Sequence, residues 1–180
     1  MQTLYIIGNG FDLFHKLPTS YGAFNIHVRE NYTVLENTFN EYFVFELDKD
    51  GLWSDFEADL GTFDWKSFLE NNNNLNVLDE DFRPSFVFCL EDDLIEQTES
   101  ICSDIAKALQ EWLESIDISS VKPKFSFTND SFFISFNYTM LLEEVYKISP
   151  EKILHIHGDI EKSFEELIIG HNIKIEETPN

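Results

Sequence analysis

Three short apolar runs, each ended by a small polar loop, constrain the fold of this chain more than any other feature. Thr3 to Ile7 leads into Gly8-Asn9-Gly10-Phe11-Asp12, and Phe132 to Phe136 into Asn137-Tyr138-Thr139. Ile153 to Ile156 leads into His157-Gly158-Asp159. Runs of four or five β-branched and aromatic residues bounded by glycine or polar residues read as buried strands. A fourth run, Leu167 to Ile169, ends the same way at Gly170-His171-Asn172. Helical patterns lie between the runs, and strands separated by helices pair in parallel. Open sheets of this kind place ligands beyond the carboxyl ends of their strands, so the loops are expected to wall one nucleotide pocket. The expected fold is α/β: one Rossmann-like parallel-sheet domain over residues 1–180, with a mostly helical insertion at about 20–120 between the first two strands.

Within the insertion, the spacing predicts a helix near 20–30 with Thr19 or Ser20 as N-cap. A second is predicted over 33–48, with Val34, Leu35, Phe39, Tyr42 and Phe43 on one stripe until Gly51 breaks it. A short helix near 53–60 follows, then Asn71 to Asn74 as a surface loop. The longest helix covers about 91–116, where Leu94, Ile101, Ile105, Leu109, Trp112 and Ile116 recur at three- and four-residue spacing. A further helix is expected from Met140 to Lys147.

Composition excludes several functions. The chain carries 12 basic and 34 acidic residues, a net charge of −22. Such a surface repels phosphate backbones, so direct nucleic-acid binding is not expected. With 43% hydrophobic residues and 18 Phe the chain can fill a core. Cys89 ends an apolar strand-like run and Cys102 falls on the apolar face of the long helix, so both are expected as small buried hydrophobes. Two such positions form no disulfide framework, which suits a reducing cytosol. The opening run is too short and lacks the basic leader of a signal peptide. No stretch approaches the roughly 20 apolar residues of a membrane span, and a cytoplasmic protein is expected.

The loops carry the chemistry. Gly8-Asn9-Gly10 can turn sharply, because glycine and asparagine tolerate positive φ, and can bring backbone amides against a diphosphate. The turn lacks the third glycine of the dinucleotide fingerprint, and His15 occupies that region; a purely structural turn fits the same residues. Asp12 can bond a ribose hydroxyl or cap the next turn. Asn137 can hold a ribose hydroxyl or position a water, or cap the helix that follows, while Phe136 and Tyr138 pack against the sheet. His155 and His157 point to one face of their strand. No third ligand accompanies them, so no metal is assigned. His157 suits a general base, and His155 a buried core position. Glu57 shares a helical face with Trp53, Phe56 and Leu60, and can act as acid or base beside that aromatic bulk. A half-buried Glu57 bonded to backbone or to Arg83 is the alternative.

Leu4-Tyr5-Ile6-Ile7-Gly8-Asn9-Gly10-Phe11-Asp12 with Leu17-Pro18-Thr19-Ser20-Tyr21 resembles the N-terminal signature of the AbiH family of phage abortive-infection proteins. Trp53-Ser54-Asp55-Phe56-Glu57, Glu111-Trp112, Phe136-Asn137-Tyr138-Thr139 and His155-Ile156-His157-Gly158 fit its later motifs in order. Family members tend to be longer, so the resemblance implies a shortened copy. The family resembles, more distantly, the sirtuin-like NAD-binding superfamily. That likeness implies a sirtuin-like sheet, NAD as ligand or substrate, and cleavage of the nicotinamide–ribose bond. It assigns Gly8, Asn9, Gly10 and Asp12 to the diphosphate and ribose, Asn137 to the ribose or a water, and His157 to the catalytic base. Phe11, Ser135, Tyr138, Gly158 and His171 complete the implied lining. Gly-Asn-Gly replaces the sirtuin Gly-Ala-Gly, and the four-cysteine zinc module is missing, so protein deacetylation fits poorly. Defence proteins of this kind often form homo-oligomers.

Three functions follow: an NAD-cleaving defence enzyme, a nucleotide-binding sensor without chemistry, and a metal-dependent nuclease. The nuclease would need Asp12, Glu57 and Asp159 to share a magnesium ion, and the charge argues against it.

Overall fold

The computed structural model describes residues 2–73, 75, 76, 78, 80–128, 130–158 and 169. Its organising element is a small open parallel sheet of three strands, β1 (Thr3–Ile7), β2 (Ser131–Ser135) and β3 (Ile153–His155), in the order β1-β2-β3. Tyr5 pairs with Phe133 and Ile7 with Ser135, while Ser135 pairs with His155. The register therefore brings all three strand ends, and the loops that follow them, to one edge. Ile7, Phe133 and Leu142 form the core under one face, with Tyr5, Phe11, Phe127, Ile148 and Ile153 packed on it. The strands were expected to be buried on both faces. Instead Leu4, Ile6, Phe132 and Leu154 are exposed, all on the face opposite that core. The fourth run, 167–169, lies outside the described residues except Ile169, which has no strand conformation and packs on the helical core.

Among the described residues, six helices separate β1 from β2: α1 (Gly10–Phe14), α2 (Tyr21–Asn31), α3 (Thr33–Tyr42), α4 (Phe56–Asp59), α5 (Trp65–Asn72) and α6 (Phe86–Glu114). Ser20 is the N-cap of α2, its Oγ accepting from the Ala23 amide at 3.2 Å. Their core is aromatic. Phe24 sits edge-on to Trp53 and Phe56, at 5.8 and 5.1 Å, and Phe39 stands edge-on to Trp53 at 5.1 Å. Ile105, Leu109, Trp112 and Leu113 of α6 close it. Edge-to-face pairs add about 0.5–1.5 kcal/mol each beyond area burial, so this cluster fixes α2, α3, α4 and α6 as one body.

Several boundaries differ from the sequence reading for identifiable reasons. α3 stops at Tyr42, where Phe43 takes an extended backbone and the side chains then alternate: Phe45 stacks on Trp53 at 4.5 Å while Val44 is exposed. Leu47 then bridges antiparallel to Trp53. Asn71 and Asn72 belong to α5 rather than to a loop. The 53–60 segment is helical only from Phe56, after Asp55 caps it, and tightens into a 3₁₀ turn at Leu60–Thr62. The helix expected from Met140 to Lys147 shrinks to α7 (Leu141–Glu144), and Lys147 lies in the left-handed region at φ +56°.

α6 begins at Phe86, so Cys89 lies in its first turns and not at a strand end. Cys89 and Cys102 are both exposed, contrary to expectation. The apolar spacing of α6 is real, but its side chains are buried only from Ile105 onward, with Ile101 packed half-buried on the aromatic core. Among the described residues no helix is long and apolar enough to cross a membrane.

Candidate functional site

The Gly8-Asn9-Gly10 turn follows β1 directly, and α1 opens at Gly10. Neither Gly8 nor Gly10 has a positive φ, contrary to the reason given for glycine there. A Cβ at either position would meet nothing within 4 Å. The chain's own conformation and packing thus leave glycine unexplained at both, and the space beside each is open. Asn9 ties the turn to the next segment, its Nδ2 donating to the Thr19 carbonyl at 2.7 Å. Phe11 points elsewhere, into a cluster with His15, Phe125, Phe127 and Tyr146. His15 is a buried structural link, with Nδ1 2.8 Å from the Phe11 carbonyl and Nε2 2.7 Å from the Tyr146 hydroxyl.

Asp12 is the centre of the site. It is 1% exposed, yet it joins the first loop to the second. Its Oδ1 accepts from Asn137 Nδ2 at 2.8 Å, and its Oδ2 accepts from the Thr139 hydroxyl at 2.6 Å. Burial pushes its carboxyl up to about 6, against the pull of those two hydrogen bonds and of His15. Ser135 holds the backbone of the same loop, its Oγ accepting from the Asn137 amide at 3.2 Å. His155 braces it from β3: Nε2 lies 2.7 Å from Glu143 Oε1, and Nδ1 3.3 Å from the Asn137 carbonyl. Both partners are acceptors, an arrangement that an imidazolium satisfies from its two nitrogens.

With one Nδ2 hydrogen committed to Asp12, Asn137 has its Oδ1 and its second N–H to offer. The Oδ1 atom is buried and unpartnered among the described residues, as is the Thr19 hydroxyl. Both residues line a cavity of about 50 Å³, shared with Asn9, Asp12, Tyr21, Glu57, Trp112 and Tyr138 among others. Buried polar atoms in native proteins are nearly always hydrogen-bonded, so two such oxygens in one cavity wall mark a place for a ligand or water.

Glu57 reaches this cavity from α4 and accepts from the Tyr138 hydroxyl at 3.4 Å. Tyr21 also bonds to it, and burial with the Glu57 charge pushes both tyrosine hydroxyls well above their ordinary range. The Arg83 alternative for Glu57 is replaced by these two tyrosines. Among the described residues no lysine or arginine lines the cavity; two carboxylates, two neutral oxygens and the rings of Tyr21, Trp112, Phe136 and Tyr138 do. The arrangement favours a cation or a group that gains positive charge, by charge and by the aromatic faces.

His157 stands at the rim, its ring 5.5 Å from Tyr138 and 5.7 Å from Phe136. Gly158 behind it is buried at φ +82°, a conformation that favours glycine. His171 and Asp159 lie outside the described residues. Sequence reasoning missed Thr19, Tyr21 and Thr139. The local sign of the first two was their place in Leu17-Pro18-Thr19-Ser20-Tyr21 at the N-terminus of α2, ten and twelve residues after Asn9.

A family model described as "Bacteriophage abortive infection AbiH" matches residues 4–179. No curated protein and no solved structure matches the chain.

Proposed function

The chain belongs to the AbiH family of bacteriophage abortive infection proteins, and we propose that in this role its strand-tip pocket takes NAD and cleaves the nicotinamide–ribose bond. The observation that carries the reading is the cavity lined by Asp12, Glu57 and aromatic rings, with no basic side chain among the described residues. Glycosidic cleavage passes through an oxocarbenium-like state, and NAD itself presents a positively charged pyridinium. Fixed negative charge in a water-poor site stabilises such charge without reorganising.

A cavity of about 50 Å³ admits a water or a carboxamide-sized group, not a dinucleotide. The bulk of the ligand would lie over its mouth, where Gly8 and Gly10 leave the backbone open. In the reaction the C–N electron pair returns to the pyridinium nitrogen and nicotinamide leaves neutral. Water oxygen bonds to the ribose carbon and its proton passes to His157. Asn137 Oδ1 would hold that water or a ribose hydroxyl, with Asp12 fixing which end of the amide is offered. A Rossmann-like, sirtuin-like arrangement agrees with loops gathered at the carboxyl ends of parallel strands.

The test is incubation of the full chain with NAD and mass spectrometry of the products. Nicotinamide and ADP-ribose are expected from the native sequence, and His157→Ala and Asn137→Ala, still folded by circular dichroism, should release neither. NAD that raises the melting temperature yet stays intact would replace the enzyme with a sensor.

A further inference from the structure

Residues 86–104 of α6 contain no buried side chain, whereas the last turns of the helix enter the aromatic core. At 1.5 Å per residue this part without a fully buried side chain is about 28 Å long. Its apolar side chains are not scattered. Phe88, Ile95 and Cys102 recur at every seventh position and are all exposed, with Leu94, Thr98 and Ile101 half-buried alongside them. A seven-residue apolar period is the pattern of a helix that seats another helix.

The stripe runs into a groove of about 210 Å³ walled by Phe63, Trp65, Thr98, Ile101, Cys102 and Ile105. Trp65 is 63% exposed there, while Trp53 and Trp112 are each 6% exposed. A contiguous exposed apolar surface beside a concave wall marks an interaction site. The charge around it says what kind. Glu91, Asp92, Asp93, Glu96, Glu99 and Asp104 flank the stripe, and no lysine or arginine occurs between residues 84 and 106. A second copy would set the same six carboxylates against these, on a chain of net charge −22, which opposes self-pairing through this face.

We propose that this groove receives a basic amphipathic helix from another protein, with apolar side chains on the α6 stripe and Trp65, and lysine or arginine beside the six carboxylates. This is helix-in-groove recognition, and it does not depend on what the strand-tip pocket does.

The probe is a synthetic helical peptide of about 20 residues, matched to the length of that part of α6, with leucine on one face and lysine elsewhere. Binding is read from the emission of Trp65, the one tryptophan that moves from water to an apolar contact. A saturable blue shift is expected, tightening as salt is lowered. Ile95→Gln replaces an exposed side chain and should weaken binding by at least about tenfold with helix content unchanged. Equal binding of a scrambled peptide of the same composition, an unshifted Trp65, or unaltered affinity in I95Q would each overturn the proposal. So would a concentration-dependent dimer without peptide, in sedimentation, that I95Q abolishes, since a second copy would then be the occupant.

Discussion

Asp12→Asn is expected to stabilise the protein and to disable it. Asp12 is 1% exposed and its carboxyl is held up at about 6 by burial, against an ordinary 3.8. Between those values the folded state keeps a proton that the unfolded state has lost. The contribution of this group is therefore complete below about pH 3.8 and is lost as pH rises through about 6. At 1.36 kcal/mol per unit, a shift from 3.8 to about 6 amounts to about 3 kcal/mol of stability forgone at pH 7.5. Asparagine removes the charge while keeping the contacts. Its oxygen can accept from Asn137 Nδ2 and its amide can donate to the Thr139 hydroxyl, which accepts as readily as it donates. For a chain of this size, 3 kcal/mol corresponds to a rise of roughly 6–12 °C in melting temperature. Urea unfolding of both proteins from pH 3.5 to 7.5 measures the difference directly. The curves should converge near pH 4 and separate to their full extent above pH 6, while NAD cleavage by the variant falls. A variant less stable than the parent at pH 7.5, or a stability difference that does not change with pH, would refute the reasoning.

Gly10→Ala places a methyl group in open space at a helical position without positive φ, so stability should rise by about 0.4–1 kcal/mol. If a ligand approaches that backbone, NAD-dependent thermal stabilisation should shrink in the same variant. Gly158→Ala forces alanine to φ +82° in a buried turn, and should lower stability by about 1–2 kcal/mol in chemical denaturation. Cys89 and Cys102 are exposed, so both should react with a thiol reagent in the native protein as fast as in denatured chain; slow or partial labelling would contradict the course of α6.

The strand tips were legible because glycine, asparagine and histidine interrupt β-branched runs, a local signal. That Asp12 binds Asn137 and Thr139 was not, because partners more than a hundred residues apart leave no mark in spacing. The sequence left Asp12 to a ribose hydroxyl or to the cap of the next turn; the structure buries it against Asn137 and Thr139. Periodicity found the stripe of α6 but carries no information on depth, so Cys102, which shares the spacing of Ile105 and Leu109, was misread as core. Phe43 and Phe45 fit a helical stripe and a strand alternation equally well, and stacking of Phe45 on Trp53 decided between them. Gly8 and Gly10 were noticed for their flexibility, which the backbone does not use.

The central claim about the pocket is its preference for positive charge. It can be tested by titrating the full chain with 1-methylnicotinamide, a cation, and with neutral nicotinamide, following binding by calorimetry. The cation should bind at least about tenfold tighter, and the preference should vanish when Asp12→Asn and Glu57→Gln are combined. Equal affinity for the two, or a preference for the neutral amide, would contradict the account.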